Sequence, residues 1–178
     1  AYAQQQSPDL VPVGGIDRVF ERRHFRRCGR AVFRQRLGEL VLARRNTARL
    51  LADGAHEVGA GHYPLIVALH AAWLAGLWCF SLSLTLAVNG IWLALFVVLQ
   101  LGRVWVIASL GPRWTTRIIV LPRAPLVTRG PYRFVSHPNY WVVAGEILVL
   151  PLAFGLPWYG LVFSALNAGV MWIRIRAE

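Results

Sequence analysis

YPLIVALHAAWLAGLWCFSLSLTLAVNGIWLALFVVLQLG, residues 63–102, contains no Asp, Glu, Lys or Arg. A helix that crosses a bilayer needs roughly 20 apolar residues, so the run holds two. Asn89-Gly90 is a strong turn dipeptide and divides it into predicted spans near 64–88 and 91–110. A second stretch, 134–173, has Glu146 as its one charged residue. It divides at Gly155-Leu156-Pro157, because Pro is accommodated at a helix start and breaks an interior. Helices near 138–154 and 158–173 are expected there.

Composition agrees. Apolar residues make up 56% of the 178 positions, above the ~45–50% of soluble domains, so a soluble globular fold is excluded. The predicted class is an all-α, polytopic integral membrane bundle of two helical hairpins, with four long spans and an amphipathic or partial first span before them. Three regions are expected: a basic, disordered leader at 1–30, an amphipathic helix and loop at 31–63, and a membrane core at 64–178.

All nineteen basic residues are Arg, and the net charge is +11. Eleven precede Ala52, five lie at 113–133 and two follow the last span at 174 and 176, whereas the turns at Asn89 and Gly155 are uncharged. Short cytoplasmic loops are the basic ones, which places the central loop and both termini in the cytosol. Val32, Phe33, Leu37, Leu40 and Val41 have helical apolar spacing, interrupted by Arg34, Arg36 and Glu39. That pattern fits a helix lying on anionic lipid or a displaced first span beginning near Ala31. The RRHFRRCGR run at 22–30 offers nucleic acid only nonspecific attraction, and no nucleic-acid partner is expected. Cys28 and Cys79 lie in unlike surroundings, so neither a disulfide nor a metal site is suggested.

The polar chemistry concentrates in LVTRGPYRFVSHPNY, residues 126–140. Pro138 is suited to the first position of a helix and disfavours helical geometry before it, so His137 is the predicted cap. The backbone N–H groups of that turn favour an anion on the cytosolic side. Tyr132 and Tyr140 add aromatic faces and hydroxyls, although an ordinary interfacial belt of Tyr and Arg reads the same way. Glu146 inside a span is either functional or paired with Arg103, and His70 is either a packing donor or a proton carrier.

RGPYRFVSHPNYWVVAGEI resembles the signature of the isoprenylcysteine carboxyl methyltransferase family and its phospholipid methyltransferase relatives, over about Pro122 to Glu178. RRNTARLLADGAHEVGAGHYPLIVALH is similar to a bacterial branch that lies beside type III polyketide synthases and O-methylates alkylresorcinols or alkylpyrones, over Gly38 to His70. The resemblance implies an enzyme of the bacterial inner membrane that uses S-adenosylmethionine. It implies cofactor contacts from Ala124, Pro125, Leu126, Val127, Tyr132, His137, Pro138, Asn139, Tyr140 and Glu178, and a substrate contact from Arg174. The family pattern continues beyond the position of Glu178, and it opens with an apolar span where this chain has an arginine-rich leader. An incomplete lid on the cofactor pocket is therefore expected.

Methyl transfer from a sulfonium needs alignment and exclusion of water more than acid–base chemistry. A carboxylate acceptor needs no base, whereas a phenol or enol gains from one. His62, Glu57 and His137 are the candidate bases, and Arg174 is the candidate oxyanion partner. The acceptor is expected to be an alkylresorcinol or alkylpyrone hydroxyl, or the carboxylate of an isoprenylcysteine. The competing classes are an NADPH-dependent membrane reductase and a noncatalytic membrane scaffold.

Overall fold

The computed structural model describes residues 13–83 and 88–177. Five helices, α1 (Val13–Ala52), α2 (Tyr63–Ser83), α3 (Gly90–Leu110), α4 (Pro138–Ala153) and α5 (Pro157–Ala177), carry nearly all the regular structure. Two of them, α2 and α3, are long and apolar enough to cross a membrane. At 16 residues α4 is shorter, about 24 Å at 1.5 Å per residue.

The turns fall where the sequence places them, and for the anticipated reasons. Asn89 caps α3 by accepting from the backbone N–H of Ile91 at 3.1 Å and of Trp92 at 3.4 Å. His137 is the N-cap of α4 with Pro138 in its first turn. Gly155, at φ 70°, takes the left-handed conformation that ends the same helix, where a side chain would be strained.

The most extensive packing joins α3 to α4 and α4 to α5. Phe96, Val143, Ile147, Leu150 and Trp73 lie in one buried cluster that also takes in Val32 of α1. Gly76 of α2 leaves room for the Tyr159 ring, whose hydroxyl donates to the Trp73 carbonyl at 2.7 Å. Beyond the helix ends, β1 (His56–Val58) pairs antiparallel with β2 (Ile118–Val120), Glu57 opposite Ile119. This small ribbon ties the α1–α2 connection to the α3–α4 connection.

The N-terminal third differs from expectation. From Val13 to Ala52 one helix runs through residue 30, where the disordered leader was expected to end; residues 1–12 lie outside the described part. Nor does α1 rest apart from the bundle. Val32, Glu39, Ala43, Asn46 and Leu50 are buried along one stripe, at the three-, four- and seven-residue spacing of a single helical face. Gly29 lies beside Trp78 near the far end of α2, and Asn46 donates to the Trp114 carbonyl at 2.8 Å, just past α3. Thus α1 runs antiparallel along α2, with its charged Glu39 turned inward.

Candidate functional site

Tyr140 and Arg174 form the centre of the polar end of the bundle. Tyr140 sits in the first turn of α4 and Arg174 in the last turn of α5, antiparallel neighbours, so first and last turns meet. Arg174 Nε donates to the Tyr140 hydroxyl oxygen at 2.7 Å, and Nη1 donates to the Thr116 carbonyl at 3.1 Å. The guanidinium carbon is 5.4 Å from the centre of the Tyr140 ring. His137 stacks on the same ring, with centroids 5.0 Å apart and planes within 3°.

Thr116 links this group to α2, since its Oγ1 lies 3.2 Å from the Tyr63 hydroxyl. Arg117 lies over the Tyr63 ring, with its guanidinium carbon 4.9 Å from the centroid, and its Nη1 donates to Glu57 Oε2 at 2.9 Å. The bond to Glu57 raises the Arg117 guanidinium above its ordinary value. Glu57 is therefore committed to an ion pair on the ribbon, which suits a residue that orders the mouth of the site better than a base.

A cavity of ≈ 730 Å³ opens from this end, lined by Asn139, Tyr140 and Arg174 as well as Tyr63 and Thr116. It continues between α1 and α2 past Ile66, Leu74 and Trp78 towards Phe154, an apolar passage of the size of small-molecule sites. Part-way along, Arg36, Glu39 and Arg103 reach its wall.

Those three residues belong to a charge network that the sequence only half disclosed. Arg103 of α3 grips Glu39 with two bonds of 2.6 Å, from Nε and Nη2, and reaches Glu146 Oε2 with Nη1 at 3.1 Å. Arg36 bridges the same carboxylates, Glu39 at 3.1 Å and Glu146 at 2.5 Å, and Gln100 donates to Glu146 Oε1 at 2.7 Å. Two arginines and two glutamates balance in charge, and Glu146 is 1% exposed. The Arg103–Glu146 pair is the structural alternative raised from sequence. Its extension to Arg36 and Glu39 was missed because both were assigned to a lipid-facing helix; their signal was a shared stripe with Val32 and Ala43.

The remaining predicted residues divide into two places. Pro125, Leu126 and Val127 line a separate cleft of ≈ 410 Å³ with Arg113 and Arg129, and Ala124 precedes them in the same loop. Arg113 donates to the Pro125 carbonyl, and Arg129 Nε donates to the Ser109 carbonyl at 3.0 Å, fixing the loop on the end of α3. Gly130, at φ 62°, passes so close to Ser109 that a Cβ would collide with its hydroxyl. Tyr132 follows, half-buried, and burial pushes its hydroxyl up to about 12; it is a neutral hydrogen-bonding group near neutral pH. The predicted cofactor residues thus divide between the loop cleft and the Tyr140 end of the cavity. His62 is placed by its backbone in the turn before α2, and its side chain lies outside the described part, as does Glu178.

Over residues 92–178 the chain matches the model of the isoprenylcysteine carboxyl methyltransferase family. It is also 38% identical over 147 residues, 81% of this chain and 88% of the relative, to the uncharacterized protein YpbQ of Bacillus subtilis (strain 168). The chain belongs to the isoprenylcysteine carboxyl methyltransferase family. No solved structure matches it. Membership makes it a membrane methyltransferase by class, and the matched segment contains α3 from Trp92 onward, α4, α5 and the entire Tyr140–Arg174 group. Charge network and cavity wall draw in addition on α1 and α2, which precede that segment.

A methyl donor with an amino-acid tail fits the residues present. Asn139 Oδ1 is buried on the cavity side without a hydrogen-bond partner among the described residues, an acceptor available to an ammonium group. The stacked His137 and Tyr140 rings form an aromatic corner against which a donor can pack, and Arg174 suits a carboxylate or oxyanion.

Proposed function

We propose that this chain is an S-adenosylmethionine-dependent methyltransferase of the bacterial inner membrane that methylates a hydroxyl on a long-chain amphipathic acceptor. The observation that carries this reading is the shape of the main cavity, mostly apolar, crossed part-way by the self-paired Arg36–Glu39–Arg103 charges and ending at Arg174, Tyr140, Thr116 and Tyr63. Such a passage suits an alkyl chain between helices with its polar head at the helix ends. In this reading α2 to α5 are four spans, and the basic connections carrying the site face the cytosol.

Bound at the Tyr140 end, the cofactor supplies an activated methyl group. Asn139 and the His137–Tyr140 stack would hold it, with Tyr132 and the 124–127 loop closing the cytosolic side. Arg174 orients the acceptor oxygen and favours its anion. Tyr140 fixes the guanidinium by accepting from Nε, while the Glu57–Arg117 pair holds the β1–β2 ribbon against Tyr63. Alignment and desolvation of this kind are the main contributions a protein makes to such a transfer. An alkylresorcinol or alkylpyrone is the proposed acceptor, made by a type III polyketide synthase pathway; an isoprenylcysteine carboxylate is the alternative within the family.

The test is transfer of isotopic methyl from S-adenosylmethionine to long-chain phenols and to prenylated cysteine, using the full chain in lipid nanodiscs. Labelled phenol ether supports the proposal. Labelled ester alone moves the assignment to carboxylates. Absence of label in both, with oxidation of NADPH by an unsaturated lipid, replaces the transferase with a reductase.

A further inference from the structure

The main cavity has a far end as well as a polar mouth, and two helices measure the distance between them independently. Along α2 the lining runs from Tyr63 to Trp78 and Cys79, about 23 Å at 1.5 Å per residue. Along α4 it runs from Asn139 to Phe154, about 22 Å. Phe80 of α2 packs edge-on against Tyr159 of α5, with ring centroids 5.3 Å apart, which sets the far end of α2 beside the α4–α5 turn. The hydrocarbon core of a bilayer is roughly 30 Å thick, so the passage stops inside it.

At that end the walls come together. The α1 backbone reaches the indole of Trp78, from which a Cβ on Gly29 would lie 4.0 Å away, an ordinary van der Waals separation. Leu77 and Phe154, both buried, line the same end. Trp78 itself is 43% exposed, so one side of the indole lines the cavity and the other meets lipid. Between mouth and floor the groove is open along its flank, where Phe33 and Leu37 of α1 and Val67 of α2 are exposed. The Arg36, Glu39 and Arg103 charges on the wall are paired with one another and require no polar group on an alkyl chain.

We infer that Trp78 is the floor of the acceptor passage and sets the chain length that the protein reads; this rests on the long-chain acceptor proposed above and deepens it. An extended alkyl chain advances about 1.25 Å per carbon, from a C–C bond of about 1.5 Å. The passage therefore holds about eighteen such steps, and with about four taken by the ring that carries the hydroxyl, about fourteen chain carbons fill it. Carbons between the walls gain close packing, which is what drives association inside a bilayer. Carbons beyond Trp78 have to turn out through the open flank into lipid, where they gain nothing over a chain that never left it. The acceptor class is thus a ring bearing a single alkyl chain of about that length.

The test is competition in detergent between alkylphenols of successive lengths, from about 8 to about 22 chain carbons, for the full chain, with the bound ratio counted by native mass spectrometry. On the intact protein the longer member of each pair should win up to about fourteen carbons and hold no advantage beyond. Trp78→Ala removes the floor, and Leu74→Trp puts an indole one turn nearer the mouth on the same wall of α2. A turn is about 5.4 Å, so the break should move about four carbons longer in the first variant and about four shorter in the second. Each variant decides on its own. A break that stays in place, an advantage that continues to the longest chain on the intact protein, or no binding at any length overturns the inference. Labelled methyl transfer on the same series is read separately. No transfer at any length removes the methyltransferase reading, while the bound ratios still decide whether Trp78 is the floor.

Discussion

Arg174 makes two directional bonds, to the Tyr140 hydroxyl and the Thr116 carbonyl, that only a planar fork can make together. Arg174→Lys keeps the charge and loses the fork, so methyl transfer should fall roughly 100-fold with charge-assisted bonds at stake. Tyr140→Phe keeps the stack on His137 and removes one acceptor; a loss of about tenfold is expected, the weight of a single hydrogen bond to a charged group. Initial rates at saturating donor measure both, and a larger loss for Tyr140→Phe than for Arg174→Lys would reverse the assigned order. Tyr132 gives a pH signature. Its folded-state value of about 12 lies above the unfolded value of 10.0, so its contribution to stability is whole below pH 10 and is lost as pH rises towards 12. Tyr132→Phe should flatten that part of the thermal-midpoint curve. Tyr140 was legible as a polar group at a helix entry because the His-Pro step and its aromatic neighbours are local signals, whereas Arg174 entered only through the resemblance to the family; the bond between them depends on how α4 and α5 pack. Glu57 was legible only as a charge near the mouth, because its pairing with Arg117 depends on a ribbon between segments 60 residues apart.

At the scale of elements, the charge network decides how α1, α3 and α4 pack. Glu146 lies eight residues into α4, about 12 Å from its start, and a charge at that depth needs its partners. Glu39→Leu strips Arg103 of both 2.6 Å bonds and should destabilise the fold by about 3 kcal/mol, read from denaturant midpoints in detergent. Adding Arg103→Met should restore part of that loss, since it removes a buried cation left with only its 3.1 Å bond to Glu146. If the double variant is weaker than the sum of both single ones, the network is not the clamp described. Helix positions in 63–102 and 134–173 were readable because apolar length and turn dipeptides are local signals. Whether α1 lay on the lipid or within the bundle was not, because Arg36 and Glu39 read as surface residues until Arg103 and Glu146 are brought opposite them by tertiary packing.

For the whole molecule, arginine placement predicts one basic face. In a variant without Cys28 and Cys79, Asn89→Cys should react with a membrane-impermeant thiol reagent added outside intact cells, and Arg123→Cys only after the cells are opened. Reaction of both from outside would invert the orientation of the site. The central claim, a methyl-donor site built on the start of α4, is tested most directly by calorimetry of S-adenosylmethionine with the full chain in detergent, the intact protein beside His137→Ala. Saturable binding, weakened about tenfold when the His137–Tyr140 stack is removed, is the predicted result. Absence of that binding by the intact chain, with saturable binding of NADPH in its place, would contradict the account.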